Sequence, residues 1–198
     1  MTDRVPAGDG RVRYRGDHVG VVERPMAGED GVETVERARR SPGVRLLVER
    51  DDDDLLLAPD GPQGPGEPTW RLPGGPVFDS LPAFDAVAYG DRALRGVVDE
   101  RAPAILREQV GLDPAAAEHL FALPAGPGVE FDLHYYAVSR YRPAPREGDP
   151  ADAAWVSRAD ARRACLDGRV PEGRSALALL RWLDGEEGAE SDGDDADG

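Results

Sequence analysis

Apolar and polar positions change period several times along this chain, and each change marks an element. Val19-Gly20-Val21-Val22-Glu23 and Val32-Glu33-Thr34-Val35-Glu36-Arg37 alternate and predict two short strands. Val44-Arg45-Leu46-Leu47-Val48-Glu49 and Leu55-Leu56-Leu57-Ala58 predict two more, joined as a hairpin by Arg50-Asp51-Asp52-Asp53-Asp54. An aspartate run can bind calcium, but without a downstream bidentate Glu this one reads as a turn. Asp60 to Pro68 is a Gly/Pro-rich loop, and it lacks the Gly-Lys-Ser/Thr ending of a nucleotide P-loop.

Thr69-Trp70-Arg71-Leu72 predicts a strand that Pro73-Gly74-Gly75-Pro76 stops. Asp79 or Ser80 then offers an N-cap to a helix whose apolar stripe is Leu81, Phe84, Val87 and Ala88. A second helix runs from Val98 to Val110 and ends at Gly111, a C-cap residue. Pro103 in its first turns puts the regular start near Ala102. Strands follow at 120–123 and 129–138, the second alternating well, and another at 153–156. Ser157 caps a helix to about Leu166, and Pro171 to Leu183 forms the last, with Ala176, Leu177, Leu179, Leu180 and Trp182 on its buried side. Strands interleaved with a few helices indicate an α/β layer fold.

Composition refines this picture. A length of 198 residues suits one domain with appendages. We expect that domain at 11–183, after a flexible segment at 1–10 and before an acidic disordered tail at 184–198. No apolar run approaches the roughly 20 residues that span a bilayer, and the start lacks the apolar stretch of a signal peptide. Cys165 stands alone, so neither a disulfide framework nor a multi-cysteine zinc site can form within the chain. The expectation is a soluble, cytoplasmic protein without a membrane partner. The net charge is −15, and all 24 basic residues are arginine, with no lysine or asparagine and a single isoleucine, Ile105. This composition resembles that of halophilic proteins. The acidic surface also argues against a nucleic-acid partner, although a halophilic background weakens that argument.

The stretch Trp70-Arg71-Leu72-Pro73-Gly74-Gly75, followed by a helix ending Leu106-Arg107-Glu108-Gln109-Val110-Gly111-Leu112, resembles the Nudix hydrolase family. Leu72 to Leu81, Val129 to Tyr136 and Glu172-Gly173-Arg174-Ser175-Ala176 are similar to the branch of ADP-ribose pyrophosphatases, in which a helical insert separates the Gly-Gly turn from the box helix. The resemblance covers about Val44 to Leu183. It implies an α/β/α sandwich around a mixed sheet. It also implies cleavage of the pyrophosphate in a nucleoside diphosphate linked to another moiety, with Mg2+ or Mn2+ as cofactor. A small nucleotide-like substrate is the implied partner, and many relatives pair as homodimers. The box reads Gly, five residues, Glu, seven residues, then Arg-Glu-apolar-any-Glu-Glu-any-Gly-apolar. Glutamates three and four apart on one helix face converge on hydrated metal, which neutralises the diphosphate.

Laid back from Gly111, that pattern puts its Arg-Glu pair on Ala104 and Ile105, its Glu-Glu pair on Glu108 and Gln109, and its first Glu on Gly96. Glu108 is thus the retained box carboxylate, a metal ligand and catalytic acid. Glu100 is the nearest stand-in ligand, although on a regular helix it lies roughly 12 Å along the axis from Glu108. Glu130 is a second catalytic candidate. Arg71 and Arg174 could hold phosphate, and Gly74 and Gly75 let backbone pass near it. The alternative is a catalytically impaired Nudix-fold domain that binds a nucleotide-like ligand or a protein partner. The aromatic residues Trp70, Tyr135 and Tyr136 read as core, and His18, His119 and His134 lack metal-site spacing. Cys165 reads as buried filler, and Ser175 lacks the elbow of a serine hydrolase.

Carboxylate self-repulsion is least screened in dilute salt, where the Debye length reaches about 30 Å at 0.01 M. The melting temperature is therefore expected to fall steeply as KCl is lowered from molar to about 10 mM. An unchanged melting temperature across that range would overturn the halophilic reading.

Overall fold

The computed structural model describes residues 10–28, 31–50, 53–60, 69–88, 93–145 and 153–191. Its elements run β1 (Arg11–Arg15), β2 (Val19–Gly28), β3 (Gly31–Arg40), β4 (Gly43–Val48), β5 (Leu55–Pro59), β6 (Trp70–Arg71), β7 (Gly74–Pro76), α1 (Leu81–Ala88), α2 (Leu94–Val110), β8 (Leu112–Pro114), β9 (Glu118–Pro124), β10 (Val129–Glu130), β11 (Asp132–Val138), β12 (Tyr141–Pro143), β13 (Ala154–Val156), α3 (Arg158–Leu166) and α4 (Gly173–Ser191). The class is mixed α/β. The sheets have the orders β1-β2-β3-β10, β7-β4-β11-β9, β12-β8 and β13-β5-β6. No described helix is long and apolar enough to cross a membrane.

The chain divides into two compact units. The first comprises Met1–Val44, Gly75–Arg101 and Phe121–His134; the second comprises Arg45–Gly74, Ala102–Leu120 and Tyr135–Gly198. In the first unit, β2 and β3 form one long antiparallel hairpin registered from Val19↔Arg40 to Gly28↔Gly31, and β10 joins β3 in parallel at Val129↔Ala38. The helical insert expected after Gly75 is α1. Ser80 caps it, its Oγ accepting from the Ala83 N–H at 3.3 Å. Leu81 is buried, and its N–H donates to the Asp17 carbonyl at 2.6 Å. A Cβ on Gly20 would stand 2.8 Å from Leu81 Cδ2, so a larger residue at this place on β2 would make the Leu81 side chain shift.

In the second unit the core gathers Leu46, Leu47, Val48, Leu55, Leu57, Leu72, Ile105, Leu106, Tyr135, Tyr136 and Leu179, all essentially inaccessible to solvent. Both tyrosines are therefore core, as their place on an alternating strand implies. The β4–β5 turn brings Asp53 to φ +61° and pairs Arg50 with Asp54. An aspartate held this way serves the turn, while Asp51 and Asp52 lie outside the described residues. On α2 the buried residues Val98, Ala102, Ile105 and Leu106 recur at helical spacing. Gly111 ends the helix at φ +69°, its N–H bonded to the Arg107 carbonyl at 3.1 Å. Ser157 caps α3 by accepting from the Asp160 N–H at 3.1 Å.

Several boundaries differ from the sequence reading. Helix α2 begins at Leu94 and runs through Pro103, because good helix formers on either side outweigh one missing N–H. Helix α4 continues past Leu183 to Ser191, since each residue added to an existing helix gains a hydrogen bond without a new nucleus. Strand β1 is fully exposed and mostly arginine, so no apolar face announced it. The β8–β12 pair depends on partners far apart in the chain, with Arg142 Nη2 2.8 Å from Asp113 Oδ2.

Candidate functional site

The turn that follows β6 is held from several sides within the second unit. Leu46 N–H donates to the Pro73 carbonyl at 2.8 Å. Gly74 is buried, and both of its peptide polar groups meet the amide of Gln109, one residue from the end of α2. Gln109 Nε2 donates to the Gly74 carbonyl at 2.6 Å, and the Gly74 N–H donates to Gln109 Oε1 at 3.0 Å. Arg71 Nε donates to the Pro59 carbonyl at 3.2 Å and Nη1 reaches the Gly74 carbonyl at 3.5 Å. The Gly74 backbone, expected to pass near phosphate, is thus engaged by side chains of its own unit. Gly75 lies in the first unit on β7, where its carbonyl is 3.4 Å from the place of a Cβ on Gly43.

Glu108, beside Gln109, is exposed on α2. Glu100 is exposed on the same helix but belongs to the other unit, and the helix runs unbroken between them. Among the described residues, no group of three or more His, Cys, Asp or Glu side chains stands close enough together to hold a metal ion. The position next to Glu108 carries a neutral amide, a poor ligand for a hard cation, already committed to Gly74. The residues present do not fit a magnesium ion held by several protein carboxylates.

The second unit instead assembles arginines. Glu172 precedes α4 and caps it, accepting from the Arg174 N–H at 3.3 Å and the Ser175 N–H at 3.1 Å. The same carboxylate takes the Ser175 hydroxyl at 2.6 Å and Arg174 Nε at 3.1 Å. Burial alone would raise the Glu172 pKa; the Ser175 hydroxyl and the guanidinium groups of Arg174 and Arg45 overcome it and bring it below the ordinary carboxylate value. Burial lowers the pKa of Arg45; Glu172 opposes this, and the charges of Arg71 and Arg174 reinforce it. Burial also pushes the Tyr135 phenol up to about 12, so it stays a neutral hydrogen-bonding group beside Ser175. Arg45 thus feels the charges of Arg71 and Arg174, and Arg45 and Arg174 both act on Glu172. Arg71 and Arg174 were expected as phosphate contacts; Arg45, Glu172, Ser175 and Tyr135 were not. The signal available for Arg45 was its place as the lone charge in the apolar strand β4.

Glu130, in the first unit, sits in an ion network. Arg24 grips it through Nε on Oε1 and through Nη2 on Oε2, the latter at 3.0 Å. Arg39 Nε lies 4.0 Å from Glu130 Oε2, while its Nη1 is 2.5 Å from Asp85 Oδ1. Asp85 in turn meets Arg15 at 3.5 Å, and Arg39 lies over the Phe84 ring. Arg24 and Arg39 are buried; Glu130 is the counter-ion of Arg24, while Arg39 pairs more closely with Asp85. His119 packs edge-on against Tyr136, and burial pushes the Cys165 thiol up to about 11, which keeps it inert.

No protein-family profile matches the sequence, and no curated protein matches it. A solved structure described as an ADP compounds hydrolase does match, over 90% of this chain and 96% of its own, with 19% identity and a TM-score of 0.58. The fold is Nudix-like. At this identity the likeness is one of fold, and it agrees with the family resemblance of the Gly-Gly turn and the helix ending at Gly111.

Replacing Glu130 by Gln removes the carboxylate that the buried Arg24 grips and is expected to lower stability by roughly 3 kcal/mol, read by denaturant unfolding in molar KCl. A change below about 0.5 kcal/mol would show that the network is not structural. For Glu172 the folded-state pKa is depressed, so its contribution is present above the unfolded value near 4.5 and is lost as pH falls through the lower folded value. Glu172→Gln is expected to flatten the fall in stability below pH 4.5 relative to wild type, and parallel acid curves would contradict the linkage.

Proposed function

We propose that the chain recognises a nucleoside diphosphate linked to another moiety, of the ADP-ribose kind, and holds its phosphates with Arg45, Arg71 and Arg174. The observation that carries this reading is the gathering of these arginines in one unit: Arg174 pairs with Glu172 at 3.1 Å, and the charges of Arg71 and Arg174 bear on the Arg45 guanidinium. Guanidinium forks match phosphate oxygens. The Nudix-like fold, shared with an ADP compounds hydrolase, supports this ligand class.

A second reading retains turnover. It is favoured by the exposed Glu108, which remains accessible to water as a general base, and by the fold shared with a hydrolase. Binding without turnover is favoured by Gln109, which stands where the box pattern has a carboxylate and is spent on Gly74. Mg2+ or Mn2+ would enter only the turnover reading.

ADP-ribose at about 100 times its Kd is expected to raise the melting temperature in molar KCl by about 5–10 °C. Arg174→Ala and Arg45→Met are each expected to weaken binding about tenfold or more, as loss of a charge-assisted hydrogen bond does. No shift with any nucleoside diphosphate derivative would overturn the binding proposal. Cleavage assays on the same panel, with and without Mg2+ or Mn2+, separate the two readings. Divalent-dependent cleavage abolished by Glu108→Gln establishes turnover, and its absence in a sample that binds establishes a binding protein.

A further inference from the structure

The two hydrogen bonds between Gln109 and Gly74 decide what can occupy the space beside Glu108. The amide offers a donor and an acceptor on one planar group, and the Gly74 peptide unit presents the complementary pair, at 2.6 Å and 3.0 Å. A carboxylate of the same length at this position would still accept from the Gly74 N–H. Its second oxygen would then face the Gly74 carbonyl oxygen at about the present separation, with no proton between them. Two oxygens at that distance are joined only by a proton or by a cation that both can ligate, and carboxylate and carbonyl oxygens are the ligands a hard divalent cation takes. An N–H of the amide fills that place here.

We propose that the Gln109 amide supplies, without metal, the bridge between α2 and the turn that a divalent cation would supply to a carboxylate at this position. The Gly74 carbonyl, which would otherwise face the helix as an oxygen ligand, is consumed by Nε2. The turn and the end of the helix are thereby joined at any metal concentration, and the side chain beside Glu108 has no ligand oxygen to spare. This inference deepens the binding reading above by naming what separates this site from a metal site. Its readout is the stability of the unliganded chain, so it can fail or hold independently of any nucleotide.

The test compares melting temperatures of three full-length proteins in molar KCl at neutral pH, with EDTA or with millimolar Mg2+ or Mn2+ at constant ionic strength. Wild type is expected to shift by less than about 1 °C between EDTA and metal. Gln109→Glu is expected to melt about 5 °C or more below wild type in EDTA and to regain much of that loss in Mg2+ or Mn2+. Gln109→Leu, which has neither donor nor ligand, is expected to lose stability without regaining any in metal. A wild-type chain stabilised by several degrees on adding metal would overturn the proposal. So would a Gln109→Glu protein that is as stable as wild type in EDTA, that shows no response to metal, or that stays unfolded even in Mn2+, because a cation could then not replace the amide.

Discussion

One side chain amide ties the end of α2 to the glycine turn, and the hydrogen bonding of that turn depends on it. Gly74 is buried, so each of its peptide groups would cost about 1–3 kcal/mol if left without a partner. Gln109 answers both. Arg71 reaches the same carbonyl, and Pro73 beside it accepts from Leu46. Strands β4 and β6 and the end of α2 therefore meet in a single hydrogen-bonded knot.

The two units use their buried charge differently. In the first, signs alternate along the line Arg24, Glu130, Arg39, Asp85 and Arg15, which ties strands β1, β2, β3 and β10 to helix α1. In the second, the Glu172 carboxylate both pairs with Arg174 and caps α4, so one acid serves an ion pair and a helix end together.

What could be read from the sequence follows the same physical line. Strands β4, β5 and β11 and helices α2, α3 and α4 carry strong apolar periodicity or a clear cap, and their identities were plain. Strand β1 and the β8–β12 pair bury little, so nothing local marks them. Arg71 and Arg174 stood out in the sequence as candidate anion contacts because each sits at the end of an element. Glu130 was a catalytic candidate through the family resemblance of its segment; its pairing with Arg24, 106 residues away, is a contact of a span that no local pattern reveals. Gln109 was visible as a substituted carboxylate; that its amide meets Gly74 on both sides could be known only from the folded chain.

Pro103 lies near the middle of α2, beside the point where the chain passes from one compact unit to the other at Arg101 and Ala102. Having no N–H, it leaves the ladder of amide protons along α2 interrupted at that residue. Amide exchange with deuterated solvent reports such a ladder one rung at a time, and cooperative protection passes along it through successive hydrogen bonds. The rungs on the C-terminal side are fastened by Ile105, Leu106 and the Gln109 bridge, whereas those from Leu94 to Gly96 lie at an open end. The two halves of one continuous helix therefore acquire deuterium on separate schedules, the slower belonging to the half that ends at the glycine turn.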